Sequence, residues 1–141
     1  MPIQNQWDNL FLKMAMEVAN MSKDKSTKVG SIIVSPDYTK ISFGYNGMVA
    51  GIEETHDMWN IRDIKLIEVL HSEENNLLNC PFDVKGCTIY ITHQPCTKCI
   101  IKLAQAKINR IVYINKYDRL EHLNIWEKYT KCFSEVIQKS I

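Results

Sequence analysis

One stretch of this chain restricts its fold more than any other: between residues 87 and 114 the pattern runs strand, helix, strand. Residues 87–92 (Cys-Thr-Ile-Tyr-Ile-Thr) are a short run of mainly apolar and β-branched side chains, and residues 111–114 (Ile-Val-Tyr-Ile) are a second. Between them Pro95 opens a helical segment that continues to about Lys107. Proline suits a first helical position because its missing N–H would have no partner there in any case. A strand, a helix and a strand in that order form a right-handed parallel crossover. Such a sheet must be covered by helices, which argues against an all-β sandwich and an all-helical bundle.

The flanking segments extend this unit. Ile3, Trp7, Leu10, Phe11, Met14, Val18 and Met21 recur at helical spacing, which predicts a helix over 3–21 with these side chains in the core. Residues 29–34 read as a buried strand, Ser35-Pro36-Asp37-Tyr38 as a turn, and the alternation of Ile41, Phe43 and Tyr45 with Ser42, Gly44 and Asn46 as a second strand. These two should pair as an antiparallel hairpin. Residues 47–70 read mostly as loop, with Gly47 and Gly51, and partly as helix over 61–70. Residues 71–79 are expected to be helical, with Leu77 and Leu78 inward, and Pro81-Phe82-Asp83 ends that helix. Leu120, Leu123, Trp126 and Tyr129 predict a last helix, and 133–137 a fifth strand. The expectation is a single α/β domain over 1–141: a mixed five-stranded sheet between helices, in an α/β/α arrangement.

Composition narrows the function classes. With 141 residues, 45% of them hydrophobic, the chain can bury a core without disulfide staples. Its 17 basic and 16 acidic residues leave a net charge of +1, which argues against a protein that coats DNA or RNA, since that binding runs on phosphate neutralisation. No apolar run is long enough to span a membrane, and the opening MPIQNQWDNLF lacks a basic-then-apolar leader. A cytoplasmic, reduced protein is therefore expected. Cys80, Cys87 and Cys132 then read as buried thiols rather than disulfide partners.

Two strings carry chemistry: His71-Ser72-Glu73 and Pro95-Cys96-Thr97-Lys98-Cys99, each opening an expected helix. Cys96 and Cys99 are three apart and share a helix face in the first turn, where unpaired N–H groups and the helix dipole favour thiolate. A thiolate pair so placed is half of a zinc site, and His71 offers a third ligand. Taken alone, the CxxC would read as a redox pair or as buried thiols, and a histidine at a helix start as a cap. It is their joint occurrence that points to metal. No fourth Cys or His stands at the usual spacing, and three protein ligands with one position open for water is the pattern of a catalytic zinc. Glu73, two residues beyond His71, is then near the metal and available as a base.

The H-x-E…P-C-x-x-C arrangement is the signature of zinc deaminases, in which the glutamate is not a ligand. Further stretches extend the match: Trp7-Asp8, Ser22-Lys23-Asp24 followed by Lys28-Val29-Gly30, Gly44-Tyr45-Asn46-Gly47, Glu74-Asn75, Lys85-Gly86-Cys87-Thr88-Ile89-Tyr90, Ile111-Val112-Tyr113 and Tyr117. Over about residues 7–117 the chain resembles the cytidine deaminase superfamily and, within it, the deoxycytidylate (dCMP) deaminases. It departs from their pattern at Ser72 and Asn76, where alanine is usual, and at His93 and Gln94 before the Pro-Cys. Lys107 stands where a glycine is usual, and Asp118 where an arginine is common.

The resemblance implies hydrolytic deamination of dCMP to dUMP and ammonia, supplying dUMP for thymidylate synthesis. It implies one Zn2+ per subunit on His71, Cys96 and Cys99. Only His56 lies where some members carry ligands for a second zinc. Glu73 would carry protons between water, ring N3 and the leaving amine. Asn46 would contact the sugar, Tyr117 would line its pocket, and the backbone from Thr92 to Pro95 would hold the exocyclic amine. Ser26, Lys28 and Arg119 are candidates for the 5′-phosphate. His93 beside the zinc helix is left open between lining the pocket, pairing with phosphate and facing solvent. The resemblance also implies a homo-oligomer, commonly a hexamer, with activation by dCTP together with Mg2+ and inhibition by dTTP. Competing readings are a deaminase of deoxycytidine or dCTP, a tRNA or polynucleotide deaminase, and a zinc-stabilised interaction module, against which the intact Glu73 argues.

Overall fold

The computed structural model describes residues 3–118 and 120–141. Its centre is the expected crossover: β3 (Thr88–His93) runs parallel to β4 (Arg110–Asn115), and α5 (Thr97–Gln105) connects them. The hairpin of β1 (Gly30–Val34) and β2 (Ile41–Tyr45) adds antiparallel to β3, and β5 (Glu135–Gln138) adds parallel to β4. The sheet order is β2-β1-β3-β4-β5, a mixed five-stranded sheet with helices on both faces.

Period-two alternation divides the core in two. Ile32, Val34, Tyr90 and Val112 face α1 (Gln4–Ala19), whereas Ile33, Ile89, Ile91, Ile111 and Tyr113 face the side of α5 and α6 (Leu123–Thr130). The helix α1 is fixed by a buried ion pair as well as by packing. Arg110 donates from Nη1 and Nη2 to the two carboxylate oxygens of Asp8 at 2.7 and 2.8 Å, and the Tyr90 hydroxyl donates to Asp8 Oδ1 at 2.7 Å.

The face that α1 buries differs from the expected stripe. Asp8, Phe11, Leu12, Ala15 and Ala19 are buried, while Ile3, Leu10 and Met21 are exposed and Trp7, Met14 and Val18 flank the core. The reason is close approach: a Cβ on Gly30 would lie 2.2 Å from the Ala15 carbonyl oxygen. Only small side chains fit that seam, and counting large apolar residues passes over alanine.

The edge strand β2 inverts the ordinary pattern too. Ser42 and Gly44 point inward and Ile41 and Phe43 outward. The inner face is taken by α4 (Ser72–Asn79), which sits so near that a Cβ on Gly44 would meet the Ser72 carbonyl oxygen at 2.6 Å. On α4, Leu77 packs against the core as expected, but Leu78 is 73% exposed because it lies on the side away from the sheet.

The segment 47–70 holds more helix than its sequence indicated, as α2 (His56–Asn60) and α3 (Arg62–Glu68). The helix α5 begins at Thr97, with Cys96 rather than Pro95 at its cap, and ends at Gln105. Lys107 follows with φ of +65°; its N–H bonds to the Ala104 carbonyl at 3.1 Å, and Ile108 N–H to the Leu103 carbonyl at 3.2 Å. That is the Schellman ending, whose left-handed residue is normally glycine, and it accounts for the usual glycine at this position. Of the thiols expected to be buried, Cys87 is buried, Cys80 is half-buried and Cys132 is exposed, because Cys132 falls in the turn between α6 and β5.

Candidate active site

The site lies where the starts of α4 and α5 meet. His71 caps α4 and Cys96 caps α5, both in extended backbone conformation, so both side chains leave the first turn on the same side as Cys99. The His71 Nδ1 atom is 3.3 Å from Cys99 Sγ and 3.6 Å from Cys96 Sγ, and the three ligand atoms lie within 4.8 Å of one another. Among the described residues this is the one cluster of His, Cys, Asp and Glu able to hold a metal ion. Two sulfurs and an imidazole nitrogen form a borderline-soft set, and they converge as zinc requires.

The protonation pattern favours a cation at this point. The Cys99 thiol and the facing His71 imidazole draw the Cys96 thiol well below its ordinary range. The hydrogen bond to Cys96, with burial, pushes Cys99 upward. His71 is raised chiefly by its bond to Cys96. Glu73 is 4% exposed, and burial pushes its carboxyl up to about 7. A carboxyl near 7 can both take and return a proton at neutral pH, as general acid–base catalysis needs.

A buried polar cluster sets the position of α4. The Ser72 hydroxyl reaches Ser31 Oγ and the Gly44 carbonyl, both at 2.8 Å. Asn76 donates to Ser31 Oγ at 3.0 Å and accepts from the Ser42 hydroxyl at 2.7 Å. Ser72 and Asn76, two of the departures from the family pattern, are thus matched by serines on β1 and β2. The Glu74 carboxylate accepts from the His71 backbone N–H at 2.8 Å and pairs with Lys102 of α5, linking the two helices that carry the cluster. The Pro95 carbonyl accepts from the Trp126 indole of α6 at 3.3 Å.

Beside the cluster opens a cleft of about 200 Å³. Of the residues expected at the site, Ser26, Asn46, His71, Glu73 and Tyr117 line it. Lys28 is exposed and does not, and Thr92 lies buried behind it. Arg119 lies outside the described residues. Asn46 is occupied with its neighbours: it accepts from Val29 N–H at 2.8 Å and donates to the Thr27 carbonyl at 2.9 Å and to Asp24 Oδ2 at 3.2 Å. The Gly-Tyr-Asn-Gly stretch therefore clamps the loop that follows Ser22-Lys23-Asp24.

Further lining residues include Gln94, within the Thr92–Pro95 stretch expected at the site, and Asp24 and Lys65, which were not expected there. Gln94 accepts from the Tyr117 backbone N–H at 3.0 Å and so holds that loop. Asp24 and Lys65 form an ion pair at 2.8 Å inside the cleft. Lys65 belongs to the segment 47–70, read mostly as loop and partly as helix, and nothing in its local sequence separates it from a solvated lysine.

His93 lines the cleft as well. The Thr92 hydroxyl accepts from Gly30 N–H at 3.1 Å and lies within hydrogen-bond distance of His93 Nδ1, at 2.9 Å. Burial holds His93 below its ordinary pKa.

Comparison with known proteins agrees with this geometry. The cytidine and deoxycytidylate deaminase zinc-binding region matches residues 5–115. An uncharacterized deaminase encoded in the luxG 3′ region of Aliivibrio fischeri is 37% identical over 107 residues, covering 76% of this chain and 71% of that protein. The deoxycytidylate deaminase of Homo sapiens is 33% identical over 116 residues, covering 78% of this chain and 65% of the human protein, so the chain spans just under two thirds of that relative. The crystal structure of the dCMP deaminase of cyanophage S-TIM5 in complex with dCMP and dUMP superposes with a TM-score of 0.78 at 25% identity, over 98% of this chain and all of the other. With the fold, the His-Cys-Cys cluster and the buried glutamate in place, this chain belongs to the cytidine and deoxycytidylate deaminase zinc-binding family.

Proposed function

We propose that the protein is a zinc-dependent dCMP deaminase, converting dCMP and water to dUMP and ammonia, with residues 1–141 acting as one catalytic domain. The observation that carries this reading is the convergence of His71, Cys96 and Cys99 beside Glu73, which is buried in the first turn of the helix that His71 caps. His71, Cys96 and Cys99 would hold one Zn2+, which when bound supplies Lewis acidity to a water at neutral pH. Glu73 takes the proton of the attacking water, delivers it to ring N3, and then hands a proton to the amino group that leaves as ammonia. Tyr117, Asn46, Ser26 and the backbone from Thr92 to Pro95 would surround the nucleotide. Arg119 remains a candidate for the phosphate.

The deoxycytidylate deaminases among the relatives support dCMP over deoxycytidine or a polynucleotide. The small cleft suits a free small substrate that needs no flipping out of a duplex, which favours a nucleotide or nucleoside over a polynucleotide. Turnover of dCMP, deoxycytidine and dCTP by the zinc-loaded protein tests the assignment. Preference for dCMP by tenfold or more sustains it; equal turnover of dCMP and deoxycytidine moves the chain to the nucleoside branch. Zinc-dependent folding with no deamination of any cytosine compound would make it an interaction module.

Our reading includes a homo-oligomer, with the hexamer of the resembling enzymes as the expected form. Support comes from an apolar groove of about 730 Å³ along β2 and α4, with Ile41, Phe43, Val49 and Leu78 exposed at it. Activation by dCTP with Mg2+ and inhibition by dTTP rest on the resemblance alone. A cytoplasmic location is likewise part of the proposal; among the described residues no helix is long and apolar enough to cross a membrane.

A further inference from the structure

The cleft contains one lysine and no arginine among its described lining residues, and that lysine is Lys65 of α3. Its side chain is 16% exposed, and its ammonium donates to Asp24 Oδ1 at 2.8 Å and lies 3.5 Å from the Ser26 hydroxyl. A lysine so far withdrawn from water requires a partner, and Asp24 is the one in view. Asp24, however, has partners besides Lys65. Its Oδ1 also accepts from the backbone N–H groups of Ser26 at 2.8 Å and Thr27 at 3.3 Å, and its Oδ2 from Asn46 at 3.2 Å. The carboxylate stays solvated by these three donors when the ammonium turns elsewhere. An ammonium has three protons to give, and only one is committed at good distance. Its other described neighbour is the Ser26 hydroxyl, 3.5 Å away and likewise lining the cleft. Lys28, the lysine whose sequence position suggested this role, is exposed and outside the cleft.

We propose that Lys65, held in place by Asp24 and assisted by the Ser26 hydroxyl, binds the 5′-phosphate of the substrate and so sets the preference for nucleotide over nucleoside. This rests on the reading of the chain as a dCMP deaminase and adds to it the residue that recognises the phosphate. A hydrogen-bonded charge of this kind acts only on a substrate that carries the anion.

The test is Lys65→Met in the zinc-loaded full chain, assayed on dCMP and on deoxycytidine. A charge-assisted contact is expected to lower kcat/KM for dCMP roughly 10–100-fold, mostly through KM, and to leave deoxycytidine within about threefold. Lys65→Arg, which keeps the charge, should recover most of the loss. If Lys65→Met does not fold, Lys65→Gln keeps an amide donor toward Asp24 without the cation and gives the same comparison. An equal loss on both substrates would make Lys65 a brace for Asp24, and an unchanged dCMP value would remove it from the site; either overturns the proposal. Wild-type protein that does not deaminate dCMP would instead overturn the reading beneath it.

Discussion

Gly44 couples the packing of the sheet to the chemistry, and replacing it by alanine tests that coupling. A Cβ at this position would lie 2.6 Å from the Ser72 carbonyl oxygen, 2.8 Å from the Asn76 backbone nitrogen and 2.8 Å from Asn76 Cβ. Two of the three are backbone atoms of α4, so no side chain can swing aside. Ordinary contact begins near 3.4 Å, and relief therefore requires α4 to move from the sheet by about 0.8 Å. That movement stretches the 2.8 Å bonds from Ser72 to Ser31 and to the Gly44 carbonyl. Overpacking of this size costs about 1–3 kcal/mol, a fall of roughly 3–12 °C in Tm for a chain of this length. The same helix carries Glu73 and is capped by His71, and a displacement approaching 1 Å can cost on the order of 100-fold in rate. Gly44→Ala should therefore lose activity out of proportion to stability: folded at 25 °C by circular dichroism, its melting point lowered, and dCMP turnover down at least tenfold. Gly47→Ala serves as the control, because a Cβ there meets nothing within 4 Å. A Gly44→Ala protein with wild-type Tm and wild-type turnover would refute the claim that α4 is seated by contact with β2.

Glu73→Gln keeps the volume and removes the proposed base; zinc content and melting point should stay near wild type while turnover falls about 10⁴-fold or more. His71→Ala should instead lower zinc content and stability together, and a Glu73→Gln protein that loses its zinc would show the two roles to be wrongly divided. Lys107 occupies a left-handed position that glycine takes without strain, so Lys107→Gly should raise unfolding free energy by about 1 kcal/mol in denaturant titrations; a loss would mean that the lysine side chain contributes more than its backbone costs. For Asp8, burial opposes ionisation, but the bonds from Arg110 and Tyr90 outweigh it and hold the folded carboxyl far below its ordinary value. A depressed pKa stabilises above the unfolded value of about 3.9 and is lost as pH falls below it. The stability gap between wild type and Asp8→Asn should accordingly be constant from pH 5 to 7 and shrink below about pH 4, and a gap independent of pH would show that the ion pair is not what holds α1.

The sequence alone supplied the crossover of residues 87–114, the hairpin and the cluster of His71, Cys96 and Cys99. These rest on local patterns: β-branched runs, a proline at a helix start, and ligands placed at first turns, where unpaired N–H groups make thiolate cheap. Glu73 was legible for the same reason, lying two residues from His71 on the same turn. The face of α1 was not, because it is decided by how near the helix comes to Gly30, and that selects Ala15 and Ala19 over the larger apolar residues that a stripe is read from. Nor was the inversion of β2, where α4 takes the inner face and turns Ile41 and Phe43 outward. The Asp24–Lys65 pair joins residues 41 positions apart, from a loop and from a helix within the least patterned segment. Only tertiary structure brings them to one cleft: the charge of a lysine can be read in a sequence, but its burial and its partner depend on where the chain returns.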